Sequence, residues 1–167
     1  FIFFSTPQAK SLDKFNKANK ISDYFSGVLL LNQGKFNESY QYFKKLEGLE
    51  NSHSSFSSRY LYSLVNSGNF REAYSFSKKL ERDQKASFES DLIMGIYYLK
   101  NSKFDLSTKY FYKTKNIEAR TLLDSYLAHS LFVWSDLYQN KFEKAKFDFN
   151  QLDDRFENLK KIQNTFL

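Results

Sequence analysis

The side chains best suited to chemistry are two histidines and a few paired acids. His53 and His129 each lack a second ligand at metal spacing, and no H-E-x-x-H run occurs. Asp153-Asp154 and the pair Glu47 and Glu50 put carboxylates close together. Acids near helix ends usually cap or face solvent, and a general acid/base pair would need burial in a pocket to part its pKa values. There is no cysteine, which excludes disulfides, thiolate metal sites and cysteine nucleophiles. Gly27 and Gly34 lie in helix and turn contexts with no strand before them and no Lys-Ser pair after them, so no phosphate-cradling loop is expected. The expectation is a chain with no catalytic set, no metal and no cofactor.

The elements that carry these residues repeat. Gln33-Gly34-Lys35-Phe36-Asn37-Glu38-Ser39 returns as Ser67-Gly68-Asn69-Phe70-Arg71-Glu72-Ala73 and again as Asn101-Ser102-Lys103-Phe104-Asp105-Leu106-Ser107, each time 34 residues on. Asn140-Lys141-Phe142-Glu143-Lys144-Ala145 follows after 38 residues. With one proline and five glycines in 167 residues, little interrupts helix formation, so the class is all-α. A unit of about 34 residues with one central turn is a helix-turn-helix that buries its apolar face only by stacking on its neighbours.

The apolar spacing gives each unit two helices. Ile21 to Gln33 carries Phe25, Val28, Leu29, Leu30 and Leu31, with Ser22-Asp23 as its cap; Gly34 ends it, and Asn37 to Leu46 returns with Asn37 as N-cap and Tyr40, Phe43 and Leu46 on one face. The second unit pairs Phe56–Ser67 with Phe70–Leu80, using Tyr60, Leu61, Leu64, Ala73 and Leu80. In the third, Leu92, Gly95, Tyr98 and Leu99 precede Phe104 and Phe111, and Ser102 stands where glycine stood, at a cost of about 1 kcal/mol if φ is positive there. A longer helix, Ile117 to Gln139, with Leu122, Leu123, Tyr126, Leu127 and Leu131, precedes a return helix with Phe142, Ala145, Phe149 and Leu152. Asp153 to Leu167 is an amphipathic terminal segment with Phe156, Leu159, Ile162 and Phe166.

A formal charge of +6 invites a nucleic-acid or acidic-surface reading. Its lysines are dispersed, however: Lys44-Lys45, Lys78-Lys79 and Lys160-Lys161 sit near helix ends with Glu47, Glu81 and Glu157 beside them, as solvated helix-end charges do. Nineteen phenylalanines and twelve tyrosines suggest base stacking, but Phe36, Phe43, Phe70, Phe104, Phe111 and Phe142 fall at the repeat's packing positions. No apolar run approaches the ~18 residues a membrane span needs. Phe1-Ile2-Phe3-Phe4, followed by Ser5-Thr6-Pro7-Gln8-Ala9-Lys10-Ser11, reads either as the tail of a secretory h-region with its cleavage zone or as the N-terminal helix of a shortened chain.

From 21 to 152 the phrases resemble the tetratricopeptide repeat (TPR) family. Gly27 and Gly95 match the small residue of its first helix, with Leu61 and Val133 departing from it; Ser39, Ala73, Ser107 and Ala145 match the small residue of its second helix; Phe36, Phe70, Phe104 and Phe142 supply the aromatic after the turn. The family's inter-unit proline is missing throughout. The resemblance implies a right-handed α-solenoid of stacked antiparallel helix pairs, about four units plus a terminal helix: a lead-in segment at 1–20, the array at 21–152 and a cap or further unit at 153–167. Among its members the chain looks most like long bacterial TPR proteins that begin with an export signal.

The resemblance further implies that the first helices line a concave groove whose inward residues choose a protein or peptide partner. Carried over, those residues are Tyr24, Val28, Leu31 and Asn32, then Arg59, Tyr62 and Asn66, then Leu92, Ile96 and Lys100, then Trp134 and Tyr138. Such an apolar, aromatic groove suits peptide side-chain anchors, with Trp and Tyr as hot spots. The carboxylate clamp of chaperone-binding members is absent, since Tyr24, Val28, Arg59, Glu89 and Ile93 stand at its positions. The expected function is therefore a non-enzymatic scaffold for a protein or peptide, periplasmic or secreted if residues 1–11 are a signal remnant and cytoplasmic otherwise. The rival is a basic repeat module that binds RNA or acidic surfaces.

Overall fold

A computed structural model of the protein describes residues 8–116 and 121–165. Among these residues all regular structure is helical: α1 (Gln8–Asn32), α2 (Phe36–Lys44), α3 (Ser54–Asn66), α4 (Phe70–Arg82), α5 (Phe88–Lys100), α6 (Phe104–Asn116), α7 (Leu122–Tyr138), α8 (Phe142–Asn150) and α9 (Glu157–Asn164), with short 3-10 turns at Leu49–Asn51 and Asp154–Phe156. The chain divides into two compact units at Ala73 and Tyr74.

The repeated phrase is a repeated turn. Gly34, Gly68, Ser102 and Asn140 all take a left-handed φ, of 72°, 78°, 56° and 57°. Each turn closes with the same two bonds: Gly34 N to Leu31 O and Lys35 N to Leu30 O in the first, Ser102 N to Leu99 O and Lys103 N to Tyr98 O in the third. This double bond satisfies the last carbonyls of the first helix and throws the chain directly into the second. The second helix consequently starts at the aromatic. Phe36 is its first residue and Lys35 its cap, with no side-chain cap bond, so the expected Asn37 cap is corrected. Ser22 and Asp23 cap nothing either, because α1 runs unbroken from Gln8. Ala9 and Ser11 are therefore helical, while residues 1–7 lie outside the described residues.

Glycine inside a helix costs about 1 kcal/mol relative to alanine, so its placement needs a reason. Here it is a ring. A Cβ on Gly27 would lie 2.7 Å from Cε1 of Phe43, and a Cβ on Gly95 would run into Phe111 in the same way. Ser39 then donates to the Gly27 carbonyl at 2.8 Å and Ser107 to that of Gly95 at 2.9 Å. The equivalent Ala73 and Ala145 are likewise fully buried.

In the first unit the core grows from Phe43, against which Phe56 stands edge-on at 5.9 Å; Tyr40 stacks on Tyr60. In the second, Tyr126, Val133, Ala145, Phe149 and Leu152 form one cluster, with Leu137 and Phe156 packed on it. The missing inter-unit prolines are replaced by local hydrogen bonding. Gly48, at φ 106°, donates its N–H to Glu50, Gln84 takes φ 57°, and Ser87 and Ser90 form a capping box at the start of α5. One expectation about packing fails: Phe70 and Phe142 are 59% and 57% exposed rather than core. Phe25 and Leu29 of α1 are also exposed. The expected helix from Ile117 begins, in the described residues, at Leu122, and Phe166 lies outside them.

Candidate functional site

The side chains first considered for chemistry all have structural partners. The His53 ring lies 4.7 Å from that of Tyr24. Glu47 accepts from the Tyr60 hydroxyl at 3.0 Å, and Glu50 is buried in its own turn. Asp153 accepts from Arg155, which lowers its pKa to about 2. Among the described residues no group of three or more such side chains could hold a metal ion.

In the first unit, α1 and α3 carry seven of the expected groove residues. Tyr24 is packed rather than offered, at 8% exposure; its hydroxyl accepts a hydrogen bond from Arg59, whose guanidinium sits 5.5 Å from the ring centre. Val28, Leu31 and Arg59 are half-buried, and Asn32, Tyr62 and Asn66 are exposed. Asn66 turns back to donate to the Tyr62 carbonyl at 2.8 Å. Tyr62 is the outstanding side chain. It is 55% exposed, yet Phe36 holds its ring from the side, edge to face at 6.0 Å.

In the second unit, α5 and α7 carry the other five. Leu92 and Trp134 are half-buried, while Ile96, Lys100 and Tyr138 are exposed. Tyr138, 67% exposed, lies flat against Phe104 at 5.5 Å. Both units thus brace an exposed tyrosine of a first helix with the leading phenylalanine of the preceding second helix. Phe36 and Phe104 were expected to be packing residues, and the recurrence of an aromatic two residues after each turn was the signal available for this second role.

The sequence reading passed over a cleft on the second helices. A cavity of about 610 Å³ opens between α6, α7 and α8, lined by Asp105, Thr108, Lys109, Tyr112, Lys113, Phe132, Lys144 and Asp148. Beneath it Asp136 is fully buried and accepts from Lys144 at 2.6 Å. Thr108 and Ser135 share a hydrogen bond at 2.6 Å, and Gln139 donates to Thr108 at 2.6 Å, tying α6 to α7. To the side, Glu81 accepts from Tyr110 and Lys113, each at 2.7 Å. Burial acts to raise the Glu81 pKa, but these two donors outweigh it and hold the carboxyl below its usual range. Burial first, and then the Glu81 charge, pushes the Tyr110 hydroxyl well up.

Set against solved structures, the chain is similar to MamA 41-end from Desulfovibrio magneticus RS-1, with a TM-score of 0.63 and 15% identity over 80% of this chain and 73% of that one. The fold is that of a TPR-like helical repeat. The MamA RS-1 ArsTM double mutant agrees, with a TM-score of 0.66 and 15% identity over 93% of this chain and 83% of the other. These likenesses bear out the all-α, helical-repeat solenoid class. No family model matches the chain, and no curated protein matches it. Among the described residues no helix is long and apolar enough to cross a membrane.

Proposed function

We propose that the chain is a non-enzymatic scaffold that holds a protein or peptide on the faces of its first helices. The observation that carries this reading is the pair of braced tyrosines, Tyr62 on Phe36 and Tyr138 on Phe104. A large, amphipathic side chain whose rotamer is already restrained loses little entropy when a ligand covers it, and tyrosines of this kind dominate binding energies. Val28, Leu31, Ile96 and Trp134 add partly exposed apolar side chains on the first helices, and Asn32 and Lys100 exposed polar ones.

Lysine pairing supports a protein ligand over RNA. Lys45 faces Asp23, Lys113 faces Glu81, Lys144 faces Asp136, and Lys160 and Lys161 face Asp154 and Glu157, so these lysines are neutralised locally rather than gathered into one basic patch. Salt separates the two readings. A peptide selected from a random library should keep its affinity within about twofold between 50 and 300 mM salt, whereas phosphate-driven binding to poly-U falls by orders of magnitude over such a range. Tight, salt-sensitive poly-U binding with no peptide selected would overturn the proposal.

A further inference from the structure

We infer that an open face of α1 docks against the same face of a second copy of this chain, the two helices antiparallel about a two-fold axis. Ile21, Phe25 and Leu29 stand in one row along the helix and are 52%, 65% and 59% exposed. The repeat shows what such a face does elsewhere. Counted back from each left-handed turn residue, Ser22 corresponds to Phe56, Ser90 and Ala128, and Leu29 to Ser63, Tyr97 and Ser135. Five of these six are buried, and Tyr97 is half-buried. Their cover is a neighbouring helix: Tyr74 of α4 stacks on Tyr97 at 3.6 Å, and Thr108 of α6 shares a hydrogen bond with Ser135 at 2.6 Å. On α1 the same register positions, Ser22 and Leu29, are exposed.

The face is complementary to itself. Beside the large row runs a small one, Ala18, Ser22 and Ser26, at the same four-residue spacing. In an antiparallel pair the ridge of each copy lies in the groove of the other, and a two-fold axis satisfies both halves at once. Charge agrees with this orientation. Pairing about Phe25 sets the exposed Lys17 and Lys20 against the uncharged end of the partner's α1, where Asn32 and Gln33 are exposed, whereas a parallel pair would oppose lysine to lysine. Three large apolar side chains per copy make a small interface, so the dimer is weak and depends on concentration.

Sedimentation velocity of the 167-residue chain between about 5 and 500 µM tests the inference. The parent should pass from monomer to dimer and stop there, as a closed two-fold pair does. Phe25→Glu and Leu29→Glu should each keep the chain monomeric at the highest concentration, and Ser22→Arg, which fills the small row, should weaken the dimer at least tenfold. Phe142→Glu, at an exposed phenylalanine of α8, should leave it unchanged. The three α1 positions are exposed, and circular dichroism verifies that the variants fold; should one misfold, the other two carry the test. A monomer at every concentration would give the face to some other helix and overturn the inference. A dimer indifferent to the α1 variants, growth beyond the dimer, or loss of the dimer in Phe142→Glu would each overturn it as well.

Discussion

Ser107 donates to the carbonyl oxygen of Gly95 at 2.9 Å, binding α6 to α5 where the Phe111 ring presses on the glycine. Ser39 and Gly27 repeat the arrangement with Phe43. Gly95→Ala and Gly27→Ala should each gain helix propensity yet lose about 1–3 kcal/mol net, because the ring must leave its place. Ser39→Ala should cost about 1 kcal/mol or less, as Ala73 and Ala145 already occupy the same position. Thermal unfolding followed by circular dichroism ranks the three, and a stabilised Gly27→Ala would refute the packing argument.

Ser102 and Asn140 hold left-handed turns where Gly34 and Gly68 stand elsewhere. Ser102→Gly should stabilise by about 1 kcal/mol. Gly34→Ala should cost a similar amount, and there the backbone alone is responsible, since nothing lies within 4 Å of the added Cβ. Urea denaturation of both variants measures the pair; equal midpoints for Ser102→Gly and the parent chain would remove the strain from the account.

How far the fold could be read beforehand follows from such positions. The turn step was legible because a left-handed φ allows few residue types, and the small residues at 27, 39, 73, 95, 107 and 145 because close helix packing, with a ring pressed on Gly27 and Gly95, leaves room for little else. Burial of Phe70 and Phe142 was misjudged because a packing position is defined by what covers it, and covering depends on contacts far along the chain. Tyr24 is a similar case: expected to face a partner, its side chain is packed against Arg59 and His53. The cleft on α6 to α8 had no periodic signal, since its lining comes from three helices and is brought together only by their packing.

Asp91 is buried, one of its carboxylate oxygens has no hydrogen-bond partner, and burial pushes its pKa up despite Lys113 nearby. An acid whose folded pKa lies above its unfolded value, here 3.8, loses stability as pH rises, because the unfolded chain releases the proton first. Asp91→Asn should therefore raise Tm at pH 7, and the gain should vanish below about pH 3.8. Glu81 runs the other way. Its lowered pKa gives stability that is present above 4.5 and lost as pH falls through the folded value, so Glu81→Gln should lower Tm at pH 7 and have little effect in acid. Tm measured from pH 3 to 8 checks both, and curves of the same sign for the two variants would contradict the assignment.

Lys144 neutralises a fully buried Asp136, with Lys141 4.0 Å away on its other side. Lys144→Met should cost roughly 1–3 kcal/mol, because only Lys141 is left to offset that buried charge, and Lys144→Met with Asp136→Asn should recover much of the loss. Additive effects in the double-mutant cycle would show that the pair is not coupled.

The central claim is that the braced tyrosines Tyr62 and Tyr138 bind a peptide. Its most direct test selects peptides from a random library on the parent chain and measures their affinity by isothermal titration calorimetry for the parent, Tyr62→Ala and Tyr138→Ala. The account predicts a loss of at least tenfold, about 1.4 kcal/mol, in at least one tyrosine variant with the fold intact. Unchanged affinity in both folded variants would contradict it.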